Sequence, residues 1–154
     1  MLAKLSVLAL AAAAPLAAAV GKARVVNKCD NDVHLWAVGA NVDGPHKLSK
    51  GGVYEEAFTK DPVTGGRALK ITIPEDGLYS GAPQTIYAYN LDGPRVWYDL
   101  SDVFGDAFAG KKLVVASDEP SCPSIIWPTG VPPAGSQVKT CTSEKSVTLT
   151  LCAP

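Results

Sequence analysis

The chain has 154 residues, 47% hydrophobic and 19% charged, with 14 basic against 15 acidic side chains and a formal net charge of −1. Charges of both signs are interspersed, so no basic stripe is available to neutralise phosphates, and nucleic acid is not an expected partner. Beyond the N-terminal stretch no apolar run reaches the roughly 18 residues that a membrane span requires, so no membrane partner is expected either.

Lys4 supplies a short positive region, residues 5–18 form an apolar run rich in Leu and Ala, and Ala17-Ala18-Ala19 offers a small-residue cleavage site. Residues 1–19 therefore read as a removable export signal. What remains, residues 20–154, is the size of one ordinary domain and is expected to be extracellular, either secreted or held in a cell wall. Helical periodicity is almost absent there, whereas alternation and turn residues recur throughout. Residues 23–29 read as a first strand, and Asp30-Asn31-Asp32 as a turn into a second strand at 33–38, the two forming a hairpin. Residues 41–52 read as a polar loop and 53–58 as a short strand. Gly65-Gly66 releases the chain into a strand at 67–73, which Pro74 stops. The clearest hairpin pairs 85–90 with 95–100 around Asp92-Gly93-Pro94. A strand at 112–116 precedes a proline-rich, irregular stretch at 120–133. The chain closes on 146–152, with Val147, Leu149 and Leu151 facing the core. Short strands joined by tight turns predict an all-β fold, an antiparallel β-sandwich.

Four cysteines, Cys29, Cys122, Cys141 and Cys152, permit three pairings. If the terminal strands are neighbours, Cys29 meets Cys152, and Cys122 is left to clip the proline-rich segment to Cys141; the other pairings stay open at this point. No Cys-x-x-Cys spacing occurs, which removes redox catalysis and zinc ribbons from consideration.

Val26-Asn27-Lys28-Cys29 with Val33 and Trp36 resembles the opening strand pair of thaumatin-like proteins. Residues 86–91, then Trp97-Tyr98-Asp99-Leu100-Ser101 and Gly105, resemble their central hairpin, and 147–152 resembles their last strand, whose cysteine pairs with the first. Length, cysteine number and the phrase at residues 98–106 are most similar to the fungal branch, the Blastomyces yeast-phase-specific protein family. The resemblance covers essentially all of residues 20–154. It implies a thaumatin-like sandwich lacking the large cysteine-rich second lobe, and an antigen-like, secreted or wall-associated protein. Such a protein acts by binding rather than catalysis, on a cell-wall polysaccharide or a host surface protein. Larger relatives carry an acidic cleft tied to β-1,3-glucan binding or weak hydrolysis. The position matching the cleft glutamate is Ala88 here, Phe104 replaces an aspartate, and only Asp99 stands where a cleft aspartate belongs.

The residues themselves offer one constellation. Asp99, Asp102 and Asp106 are close enough in sequence to converge, since Gly105 lets the loop bend, and they are the candidate acidic ligand patch. The alternative is that they cap turns. A β-1,3-glucan-binding protein or weak endo-β-1,3-glucanase built on this patch is the second functional reading, and glycoside hydrolysis there needs two carboxyl groups about 5–9.5 Å apart. The spacing of these aspartates does not fit a calcium loop. His34 and His46 lack further ligands for a metal, and no Gly-x-Ser-x-Gly elbow occurs. No catalytic residue, cofactor or metal is therefore expected, and the chain is expected to be a monomer. Tyr87 and Tyr89 share one strand face and are assigned to the core.

Overall fold

The computed structural model describes residues 18–154; the export signal proposed above falls mostly on residues outside this range. Eleven strands and one helical turn follow in order. They are β1 (Lys22–Asn27), β2 (Val33–Val38), β3 (Val42–Leu48), β4 (Val53–Ala57) and β5 (Arg67–Thr72), then α1 (Gly77–Ser80). After the helical turn come β6 (Gln84–Asp92), β7 (Arg95–Val103), β8 (Leu113–Ser117), β9 (Ile125–Trp127), β10 (Lys139–Thr142) and β11 (Val147–Leu151). They form two sheets, one ordered β4-β1-β11-β8-β9 and the other β10-β7-β6-β5-β2-β3. Every pairing is antiparallel except that of β1 with β11, the first and last strands, which run parallel from Ala23↔Val147 to Asn27↔Leu151.

Alternation decides which face each strand buries. Val25, Val115 and Leu149 of one sheet and Leu69, Tyr87, Tyr98 and Leu100 of the other meet in the core at near-zero exposure. The assignment of Tyr87 and Tyr89 to the core holds, since they are 0% and 3% exposed. Their polar ends are satisfied across the sandwich: Tyr87 donates to the Val147 carbonyl at 3.1 Å, and Tyr89 donates to Glu56 Oε1 at 2.5 Å. A buried phenol needs such a partner, and here the partner also ties sheet to sheet. Cys29 is joined to Cys152 and Cys122 to Cys141, with Cα separations of 5.1 and 5.5 Å.

Three local expectations change. The turn at residues 30–32 makes an arch between sheets, because β1 pairs with β4 and β11 whereas β2 pairs with β3 and β5. Val25 and Leu35 each need a core face, and they find it from opposite sides of the sandwich. The polar stretch at 41–52 contains β3, an edge strand whose side chains are mostly exposed, so hydrophobic alternation could not mark it. It lies close over Trp36: a Cβ on Gly44, at φ +135°, would come within 2.6 Å of the Leu35 carbonyl oxygen. Only glycine allows that approach. The proline-rich stretch contains β9, three residues long, where Ile125 and Trp127 plug the core beside β8.

Candidate functional site

The outward face of the six-stranded sheet carries a groove of about 510 Å³. Strand register explains it. Val38, Ala68, Ala88 and Asp99 lie in one row across β2, β5, β6 and β7. Two adjacent alanines leave a trough where larger side chains would fill the space. Trp97 and Asn90, paired across β7 and β6, form one wall, and Lys70 is on the other side of the row. Trp97 is 45% exposed, whereas Trp36 and Trp127 are 1% and 0% exposed, so it is the one tryptophan with a ring face available to a ligand.

Beside Asn90 the groove is bounded by the loop at residues 61–66, held by Asp61. Its carboxylate accepts from the Ala40, Val63 and Thr64 amides at 2.8, 3.0 and 2.8 Å and from the Thr64 hydroxyl at 2.9 Å. These bonds, that of the Thr64 amide first, hold its pKa far below the ordinary carboxylate range. The same rim is anchored below by Arg67, whose Nε and Nη2 bond the two oxygens of Glu56 at 3.0 and 2.8 Å. Tyr54 donates to Glu56 Oε2 at 2.8 Å. Burial pushes the Glu56 carboxyl up, but the bonds from Arg67, Tyr89 and Tyr54 outweigh it and leave it below its usual value. Burial and the adjoining Glu56 charge raise both tyrosines above the ordinary phenol range.

The candidate aspartates separate. Asp99 faces outward into the groove, and its Oδ1 also accepts from the Leu100 amide at 2.8 Å. Asp102, three residues on, points to the opposite face of the sheet and accepts from the Thr85 hydroxyl at 2.6 Å. Its Oδ2 is buried and receives no hydrogen bond; the group facing it is the carboxyl of Asp106. The turn between them uses Phe104 at φ +60° and Gly105 at φ +115°, and Phe104 projects 70% exposed. Burial pushes the Asp102 carboxyl up to about 7, with Asp106 adding to the shift against the Thr85 bond. The structure thus joins Asp102 to Asp106 and leaves Asp99 apart. Ala88 pairs directly with Asp99, so the groove floor carries one carboxylate.

The histidines are also apart. His34 Nδ1 lies 2.9 Å from the Ile73 carbonyl, and His46 Nε2 lies 2.9 Å from Asp43. Among the described residues no group of three or more His, Cys, Asp or Glu is placed to hold a metal. The sequence reading missed the anchoring roles of Asp61 and Glu56. The Asp-Pro-x-Thr-Gly run at 61–65 is a turn signal that could have found the first; nothing local marks the second.

The family profile described as Blastomyces yeast-phase-specific protein matches residues 10–153. The chain belongs to that family. It is 30% identical to the secreted thaumatin-like protein calA of Emericella nidulans, over 94% of this chain and 91% of that protein. It is 28% identical to an antigenic thaumatin-like protein of Arthroderma benhamiae, over 94% of this chain and 79% of that one. Among solved structures it superposes on the protein elicitor MoHrip2 from Magnaporthe oryzae with a TM-score of 0.71 at 22% identity, covering 86% of this chain and 99% of that one. The thaumatin-like xylanase inhibitor TLXI gives 0.55 at 10% identity, covering 85% and 99%. At these identities the two structures establish the fold. This is a fungal thaumatin-like sandwich without the large cysteine-rich lobe. Its two disulfides suit the oxidising space outside the cell, where the protein is secreted.

Proposed function

We propose that the protein acts by binding rather than catalysis, and that the outer-face groove takes an extended cell-wall saccharide of the β-1,3-glucan type. The observation that carries this reading is the groove itself. It is an open trough with an exposed indole on one wall, an amide at Asn90, a carboxylate at Asp99 and an ammonium at Lys70. Apolar walls with a few directional polar groups are what small-molecule sites use. A sugar ring offers an apolar face to the indole and hydroxyls to the polar groups.

Hydrolysis is disfavoured by the placement of the acids. Asp99 is the one carboxylate in the groove lining and Asp102 points to the opposite face of the sheet, so no pair of carboxyl groups is set to straddle a glycosidic bond in the groove. Titrating the protein's tryptophan fluorescence with laminarin tests the reading. Saturable quenching is expected, with no reducing sugar released, and calorimetry should show the affinity weakened about tenfold in Trp97→Ala. Release of reducing sugar that is lost in Asp99→Asn would establish the enzyme instead.

A second reading, a protein partner in the wall or on a host surface, draws on Trp97 and Val138, 45% and 49% exposed, which form an apolar rim beside the edge strand β10. The names of the similar proteins, an antigen, an elicitor and a xylanase inhibitor, point the same way. Absence of laminarin binding together with Trp97-dependent capture on a host cell surface would favour it.

A further inference from the structure

A second concavity, of about 360 Å³, lies at the opposite kind of surface, around the Cys29–Cys152 disulfide. One wall is the arch at residues 28–31 and the other is the entry to β8 at residues 110–112. Both walls are fixed. The Lys28 amide donates to the Leu151 carbonyl at 3.1 Å, the Gly110 amide to the Thr129 carbonyl at 2.7 Å and the Lys111 amide to the Phe108 carbonyl at 2.9 Å. The Cys29 amide donates to Asn27 Oδ1 at 3.0 Å. The disulfide joins the arch to Cys152, and the Ala153 amide next to it donates to the Lys112 carbonyl at 2.8 Å, so both walls are tied to the same strand end before any ligand arrives.

Its charge is unbalanced. Lys28, Lys111 and Lys112 come to it from segments about eighty residues apart in sequence. Elsewhere several exposed acids pair with bases: Glu55 with Lys22 and Arg24, Asp118 with Arg24, and Asp32 with Lys47. Among the described residues Lys28 and Lys111 form no ion pair with a side-chain carboxylate. Asp30 is the one acid in the lining, and Lys50 holds it at 2.6 Å. Lys112 is already engaged, its Nζ donating to the oxygen of Pro154 at 2.9 Å. Lys28 and Lys111, one from each wall and neither paired with a side-chain carboxylate, give the cleft a local positive field, in a chain whose net charge is −1, that a neutral glucan cannot use.

We propose that this cleft binds a small phosphate or sulfate monoester, with Lys28 and Lys111 on its oxygens. The concave shape suits a discrete anionic group better than a flat bilayer, and the site is independent of the outer-face groove.

The test is a ¹H–¹⁵N titration of the secreted protein with glucose 6-phosphate and with inorganic phosphate, using glucose as the neutral control. Saturable shifts are expected at Asn31, Gly110 and Lys111 with both anions and not with glucose. Lys28→Ala and Lys111→Ala should each weaken binding about two- to fivefold, and about 0.5 M NaCl should weaken it further. Equal shifts with glucose, or undiminished affinity in a folded Lys28→Ala/Lys111→Ala variant, would overturn the proposal. So would sedimentation with anionic lipid vesicles when neither anion shifts these residues, which would make the cleft a membrane contact.

Discussion

Two carboxyl groups in contact cannot both ionise cheaply, and a buried one resists ionisation further. Asp102 meets both conditions, with Asp106 facing an Oδ2 atom that no donor reaches. Because the folded carboxyl titrates near 7 and an unfolded aspartate near 3.9, the unfolded chain gives up its proton first as pH rises. Between those values the folded state binds more protons, so the stability Asp102 contributes is complete below about pH 4 and is lost as pH climbs through about 7. Asparagine would keep the Thr85 hydrogen bond and present an N–H to Asp106, imitating the protonated acid at every pH. Asp102→Asn is therefore expected to match the parent near pH 4 and to exceed it by about 1 kcal/mol at pH 8, a figure discounted for the group's partial exposure. Thermal melts of both proteins from pH 4 to 8 check this; parallel pH profiles would remove the raised Asp102 titration as their cause.

At the scale of elements, Glu56 matters because of where its partners come from. It lies on β4 in one sheet, and Arg67 and Tyr89 lie on β5 and β6 in the other, so its bonds close one side of the sandwich. Glu56→Ala would leave a largely buried guanidinium without its bidentate partner. We expect a loss of about 2 kcal/mol, half-buried pairs costing less than fully buried ones. Urea denaturation of this variant measures it, and Arg67→Ala combined with Glu56→Ala should recover part of the loss if the unpaired charge is the cause. None of this was visible locally. Strands with alternating core faces, such as 147–151 and the hairpin at 84–103, were legible because burial writes itself into every second residue. Edge strand β3 was not, since neither face is mostly buried, and β1 was paired with β2 because sequence proximity favours hairpins over arches. Tyr87 could be read as a core residue from its strand alone. The groove could not, because it depends on Ala68 and Ala88 being neighbours across β5 and β6, a fact of register.

For the whole molecule, the costly step is bringing the two ends of the chain together. The parallel β1–β11 pair lies at the centre of its sheet, so β4 on one side and β8–β9 on the other depend on contacts between residues more than a hundred positions apart. Such contacts carry a large loop-closure entropy, and a bond that persists in the unfolded chain removes much of it in advance. The Cys29–Cys152 bridge spans 123 residues and the Cys122–Cys141 bridge 19. Chain-entropy arguments give about 5 kcal/mol for the first and about 3 for the second as upper guides. Replacing Cys29 and Cys152 by serine should therefore destabilise the protein more than replacing Cys122 and Cys141. It should also raise the denaturant m-value more, because the unfolded chain is released to expand. Guanidinium unfolding of the two double variants beside the parent decides the order. If the internal pair proved the costlier loss, the clamp on the segment between β9 and β10 would outweigh closure of the ends, and β1 and β11 would be held side by side mainly by their ladder and the core beneath them.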